Sequence, residues 1–175
     1  MKTICVTGAP GTGKTYLSKL LAKNLNFHYI DVNDFISKNS LSEGYDSKRK
    51  SKIVDVKRLN SALVRFILAL SGLNKKMSGN PKIGELPKGL IIDSHLSHYL
   101  PRKYVNLCIV TKCDIKELNK RLIKREYTKK KIEENIQAEI FDVCLEEAKK
   151  MKHKILIVDT TKGFNIKDIA KQLGG

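Results

Sequence analysis

Eight residues near the N-terminus, Gly8-Ala9-Pro10-Gly11-Thr12-Gly13-Lys14-Thr15, limit what this chain can fold into more than anything else in it. They match G-x-x-x-x-G-K-[ST] at every fixed position. Before them runs Lys2-Thr-Ile-Cys-Val-Thr7, a β-rich stretch that reads as a buried strand. After them Leu17, Leu20, Leu21 and Leu25 recur at helical spacing over Lys14 to Leu25. Strand, glycine-rich turn and helix in that order make an anion cradle. Glycines let successive main-chain N–H groups converge where side chains would collide, and the helix opening at Gly13-Lys14 adds its positive dipole end. In such a loop Lys14 bridges the β- and γ-phosphates of ATP, and the Thr15 hydroxyl holds magnesium.

Magnesium in this setting also needs an acidic partner, usually at the end of a hydrophobic strand. Leu90-Ile-Ile-Asp93 supplies the match, and His95 two residues later would lie near the phosphates. The plainer alternative makes Asp93 a helix N-cap and His95 a surface residue.

The remaining pattern alternates strands with helices. Strands are expected at Phe27 to Ile30, Leu90 to Asp93, Val105 to Val110 and Lys154 to Val158. Helices are expected at Val32 to Lys38, Asp55 to Leu70, Ile115 to Arg125 and Ile166 to Leu173. One long helix is expected from Lys130 to Met151, with Ile132, Ile136, Ile140, Val143, Cys144 and Ala148 on one face. Asn39 to Lys52 reads as a polar, basic, mobile arm and Ser71 to Lys88 as a surface loop. Such alternation over one chain of 175 residues implies a single α/β domain, a parallel sheet covered on both faces.

Bulk properties narrow the class further. No apolar run is long enough to span a membrane, and the strand begins too close to Met1 to leave room for a signal peptide, so the expectation is an intracellular protein. Cys5, Cys108, Cys113 and Cys144 form no C-x-x-C pair and read as small buried hydrophobes. The net charge of +16 favours an anionic partner such as RNA or a ribonucleoprotein, against the plainer reading of a lysine-rich solvated surface. Lys48 to Lys52, Lys129 to Lys131 and Lys149 to Lys154 carry much of it. Few aromatics are present, which argues against sequence-specific RNA reading.

Four segments together resemble one family. Gly8 to Thr15, Gly44-Tyr45-Asp46, Asp93-Ser94-His95 and, above all, Arg125-Glu126-Tyr127-Thr128 running on to Ile140 look like the adenylate kinase isoenzyme six family and its archaeal counterparts. That family is also known as a coilin-interacting nuclear ATPase and a small-subunit ribosome biogenesis factor. The resemblance implies a P-loop fold of the nucleoside monophosphate kinase type, with a five-stranded parallel sheet in the order 2-3-1-4-5. It implies a monophosphate-binding arm over 31–54 and a short lid over 124–134. It implies ATP contacts from Gly11, Gly13, Lys14, Thr15, Tyr16 and the lid residue Arg125, with Lys162 near the base, and catalytic roles for Lys14, Arg125, Asp93 and His95. Thr15 and Asp93 would hold Mg2+.

The activity so implied is broad-specificity transfer from ATP to AMP or another nucleoside monophosphate, combined with ATP hydrolysis. Its setting would be late maturation of the small ribosomal subunit and pre-rRNA processing. The partners would be a platform ribosomal protein and pre-rRNA, in the cytoplasm and, in a eukaryote, also the nucleus. Three departures thin the phosphate clamps: Ser37 stands where the family often has a basic residue, Glu126 where glycine is usual, and the Ser71 to Lys88 loop is long. They favour slow transfer, with water as a competing acceptor. The alternatives are an ATP-hydrolysing assembly factor with little kinase activity, or another small-molecule kinase of the shikimate type.

Overall fold

The computed structural model describes residues 1–47, 51–72 and 87–174. Five parallel strands form the central sheet: β1 (Lys2–Thr7), β2 (His28–Asp31), β5 (Gly89–Asp93), β6 (Leu107–Lys112) and β7 (Ile155–Asp159). Their spatial order is β2-β5-β1-β6-β7, which is 2-3-1-4-5 when the strands of this sheet are counted along the chain. The remaining two strands, β3 (Ser42–Asp46) and β4 (Ser51–Val54), pair antiparallel in a separate hairpin.

Strand alternation sorts the apolar runs onto two faces. Cys5, Leu90, Ile92, Cys108 and Val110 point to one side, where they meet α2 (Val32–Lys38), α3 (Val56–Leu70) and α6 (Val143–Lys150). Ile4, Val6, Ile91, Leu107 and Ile109 point to the other, against α1 (Lys14–Leu25) and α7 (Ile166–Gly174). A run that looks uniformly hydrophobic in sequence is thus two half-cores interleaved with a period of two. A third small cluster of Cys113, Leu118 and Leu122 joins α4 (Ile115–Lys124) to α5 (Lys129–Ile140). All four cysteines are free thiols. No helix among the described residues is long and apolar enough to cross a membrane.

Three sequence expectations are corrected. The arm over Asn39 to Lys52 is not featureless: its described part forms the β3–β4 hairpin, with Ser42 opposite Val54 and Tyr45 opposite Lys52. Tyr45 and Ile53 face solvent, so backbone pairing rather than a buried side-chain face holds the hairpin, and hydropathy gave no cue. The long helix from Lys130 to Met151 is two helices, α5 and α6. Asp142 between them adopts a left-handed conformation, φ 52°, which aspartate tolerates better than most residues. Phe141 and Ile140 at that break are exposed, so the expected continuous apolar face does not exist. The strand expected at Val105 to Val110 lies two residues later, because Val105 closes a short 3-10 turn over Arg102–Tyr104. Lys48 to Lys50 and most of the Ser71 to Lys88 loop lie outside the described residues.

Candidate active site

The carboxyl ends of β1, β5 and β6 meet at one edge of the sheet, and the glycine-rich loop spans the gap between β1 and α1. That edge is where an open parallel sheet offers its binding crevice. The loop needs its glycines: Gly11 and Gly13 have φ of 94° and 85°, and Gly13 caps α1 from the left-handed region. The Thr12 N–H and hydroxyl both donate to the Ala9 carbonyl, at 3.2 and 2.8 Å, which closes the turn from inside. Lys14 Nζ donates to the same carbonyl at 2.9 Å, so its ammonium lies over the loop.

Asp93 ends β5 as a buried carboxylate and caps no helix. The Tyr29 hydroxyl, from the neighbouring strand β2, donates to it at 3.0 Å, and the Thr15 hydroxyl lies close enough to favour its charged form. Burial pushes the Asp93 carboxyl above its ordinary range, although Thr15, the Lys14 charge and Tyr29 all oppose the rise. Burial likewise pulls Lys14 down to about 8, against the attraction of Asp93, with Arg125 pulling it further down. Arg125, the C-terminal cap of α4, is therefore within electrostatic reach of Lys14 although more than a hundred residues away in the chain. His95 is open to solvent on one side but crowded by protein. That crowding first, then the Lys14 charge, lowers its imidazole to about 4, so it is neutral near pH 7.

The Thr15 hydroxyl and the Asp93 carboxylate are adjacent hard oxygen donors, which fit magnesium. Among the described residues no group of three or more His, Cys, Asp or Glu side chains could hold a metal ion. A divalent ion at Thr15 and Asp93 would draw the rest of its shell from water and phosphate oxygens, as magnesium prefers.

Beside the loop opens a cavity of about 550 Å³. Gly11, Gly13, Tyr16 and Arg125 line it, as do Arg121, Lys124, Thr160, Gly163 and Phe164. The Tyr16 and Phe164 rings lie 5.8 Å apart at 59°, an aromatic wall on one side. Arg121 is held by four contacts: Glu117 at 3.0 Å, the Thr160 hydroxyl and carbonyl at 3.2 and 2.9 Å, and the Thr161 carbonyl at 3.2 Å. Arg121 is thus a fixed cavity residue rather than a solvated helix arginine. Lys162 is exposed and adjoins Gly163 without lining the cavity.

Sequence reasoning missed Tyr29, Phe164 and Glu139. Glu139, in the last turn of α5, is a buried carboxylate that accepts from the Cys113 N–H and from Lys112 Nζ, each at 2.9 Å. Lys112 also donates to the Glu139 carbonyl at 3.0 Å and pairs with Asp142. This knot ties the Arg125 to Ile140 segment to the end of β6. Glu126 within that segment has φ 55°, the left-handed conformation that favours glycine.

Fold and loop define a P-loop nucleotide-binding enzyme, and comparison with known proteins agrees: residues 4–142 match a family model described as an AAA domain. More particularly, the chain is 37% identical over 158 residues to a protein of Methanocaldococcus jannaschii named "Putative adenylate kinase", covering 90% of this chain and 76% of that one. It is 33% identical over 157 residues to adenylate kinase isoenzyme 6 homolog FAP7 of Saccharomyces cerevisiae, covering 89% and 71%. With the isoenzyme 6 homolog of Dictyostelium discoideum it shares 31% over 156 residues, covering 89% and 79%. The chain belongs to this adenylate kinase isoenzyme 6 family and is a nucleotide kinase or ATPase. A sugar kinase structure from a Janibacter species superposes with a TM-score of 0.59 at 11% identity, covering 99% of this chain and 92% of that one, which shows the fold alone.

Proposed function

We propose that this enzyme transfers the γ-phosphoryl group of ATP to AMP, accepts other nucleoside monophosphates, and hydrolyses ATP when water takes the acceptor's place. The carrying observation is the convergence at the loop: the Thr15 hydroxyl beside buried Asp93, with the Lys14 and Arg125 charges near them. Phosphoryl transfer asks for charge neutralisation and positioning more than covalent chemistry. On this reading Lys14 and Arg125 balance the charge on the transferring group. Thr15 and Asp93 would hold magnesium, which would supply positive charge against the phosphates. The loop glycines Gly11 and Gly13 present their N–H groups, Tyr16 lines the nucleoside cavity, and Lys162 reaches its rim. His95, neutral near pH 7, orients the acceptor or a water. The arm over 31–54, built from α2 and the β3–β4 hairpin, takes the monophosphate, and the lid over 124–134 excludes water.

The biological setting in this proposal is late maturation of the small ribosomal subunit, with a platform ribosomal protein and pre-rRNA as partners, in the cytoplasm or nucleus. The net charge of +16 supports an RNA-containing partner, as does the resemblance carried by Arg125 to Ile140.

Purified protein with ATP and magnesium, with and without AMP, separates the two activities when ADP and phosphate are followed together. ADP formed from AMP without phosphate release supports the kinase. Phosphate release indifferent to AMP but raised by the ribosomal partner supports the assembly factor. Lys14→Ala should remove both, a loss of about 2–4 kcal/mol of transition-state stabilisation. A rate within about threefold of the parent refutes the assignment of Lys14.

A further inference from the structure

Behind the loop, away from the cavity, lies a buried chain of polar side chains. Thr7, Thr12, Thr111 and His98 are all completely buried. Thr7 is the last residue of β1 and directly precedes Gly8. Its hydroxyl lies 2.7 Å from His98 Nδ1, and His98 Nε2 lies 3.0 Å from Glu147 Oε2 on α6. On the other side of Thr7 its carbonyl accepts from the Thr111 hydroxyl at 3.1 Å, and the Thr12 hydroxyl, 2.7 Å from that of Thr111, divides its single proton between Thr111 and the Ala9 carbonyl. Thr7 is therefore pinned by its side chain from one direction and by its carbonyl from the other, immediately before the peptide that opens the phosphate loop.

The partners fix the proton positions. A carboxylate can only accept, so Nε2 must carry the hydrogen toward Glu147. In the neutral ring Nδ1 is then bare, and the Thr7 hydroxyl donates to it. The same imidazole packs on the Tyr99 ring at 4.3 Å, and the His98 carbonyl accepts from His153 Nε2 at 2.8 Å. Burial, outweighing the pull of Glu147, holds His98 neutral.

We infer that His98 is a positioning residue for the phosphate loop: its neutral Nε2–H form, oriented by Glu147, fixes Thr7 and so the direction in which the loop presents its N–H groups. The inference rests on the reading of that loop as the nucleotide site. A buried histidine that merely fills space would place no constraint on which nitrogen is protonated, nor couple a helix residue to turnover. Displacement of reacting groups by fractions of an ångström is costly even when binding survives.

The test uses the full chain. Long-range ring spectra of protein with 15N-labelled histidine should show His98 with Nε2 protonated and Nδ1 bare near pH 7. Steady-state assays with ATP, magnesium and AMP should show Thr7→Val lowering kcat about tenfold with KM for AMP unchanged, and Thr7→Ser restoring it to within about twofold. Glu147→Leu should match Thr7→Val, Glu147→Gln should retain most activity because its amide oxygen still accepts, and Thr7→Val with Glu147→Leu should be no worse than the poorer single. A protonated Nδ1 overturns the inference. So does parental kcat in Thr7→Val, losses that multiply in the double variant, or losses that merely track melting temperature. If the parent turns over no ATP, the enzymatic reading has failed separately. The comparison then moves to affinity for a fluorescent ATP analogue, where Thr7→Val must weaken binding about tenfold for the inference to stand.

Discussion

Replacing Glu139 tests whether the lid segment is held by the knot at the end of β6. In Glu139→Ala the buried Cys113 N–H loses its acceptor, which costs about 1–3 kcal/mol. Lys112 loses one of its two carboxylate partners but keeps Asp142, and its side chain is 24% exposed, so that part is worth only about 0.5–1 kcal/mol. The sum is roughly 2–4 kcal/mol, or a fall in melting temperature of about 5–12 °C for a domain of this size. Glu139→Gln keeps an oxygen for Cys113 and forfeits only the charge, so it should lose about 1 kcal/mol or less. Thermal unfolding by circular dichroism separates the two. If Glu139→Gln and Glu139→Ala melt together, or Glu139→Ala melts with the parent, the Cys113 contact is not what anchors α5, and the account of the lid segment is wrong.

Further outcomes are expected elsewhere in the site. Lys14 sits near 8 in the free protein, so it loses its charge as pH rises through that value, whereas bound phosphate holds it protonated; kcat/KM for ATP should fall above about pH 8 while kcat stays flat. A kcat/KM flat to pH 9.5 would refute this. The same shift costs stability in full below pH 8, and that cost disappears as the pH climbs toward the ordinary lysine value of 10.5, which titration of the apo protein by calorimetry can follow. Glu126→Gly should raise stability by about 0.5–1 kcal/mol, since glycine takes the left-handed backbone at φ 55° without strain; a destabilised variant would contradict that conformation. His95→Gly should reduce phosphate release more than ATP binding, and equal loss of both would count against a role in orienting water.

What could be read from residues alone follows from the range over which each signal acts. The phosphate loop, the strand before it and the helix after it are encoded by contiguous chemistry, and all three lie where expected. Asp93 was legible because an apolar strand ending in an acid is likewise local. Tyr29 was not, because its hydroxyl meets Asp93 only through the pairing of β2 with β5, which brings together strands 64 residues apart at that contact. Phe164 and Arg121 are cavity residues for the same reason: the loop after β7 and the face of α4 meet only once the strand order exists. The break at Asp142 is imposed by Lys112 and Glu139 against a sequence whose helical period runs straight through it. The β3–β4 hairpin left no hydropathy trace because Tyr45 and Ile53 both face water.

Burial, not mutual attraction, dominates the two central groups of the site. An isolated ion pair that stabilised itself would show a depressed carboxyl and a raised amine. Here Asp93 is raised and Lys14 lowered, so each loses more from leaving water than it gains from the other. Such a pair is poor at holding a fold together and well suited to meeting further charge. An anionic triphosphate restores what Lys14 and Arg125 lack, and a dication restores what Asp93 lacks, and either alone leaves the other deficit in place. The arrangement therefore favours joint binding of nucleotide and divalent ion over either separately, which is the form in which kinases and ATPases use their substrate. On the proposed reading the threonine chain beneath the loop would set where the phosphates lie, and the Glu139 knot would tie down the segment that carries the proposed lid.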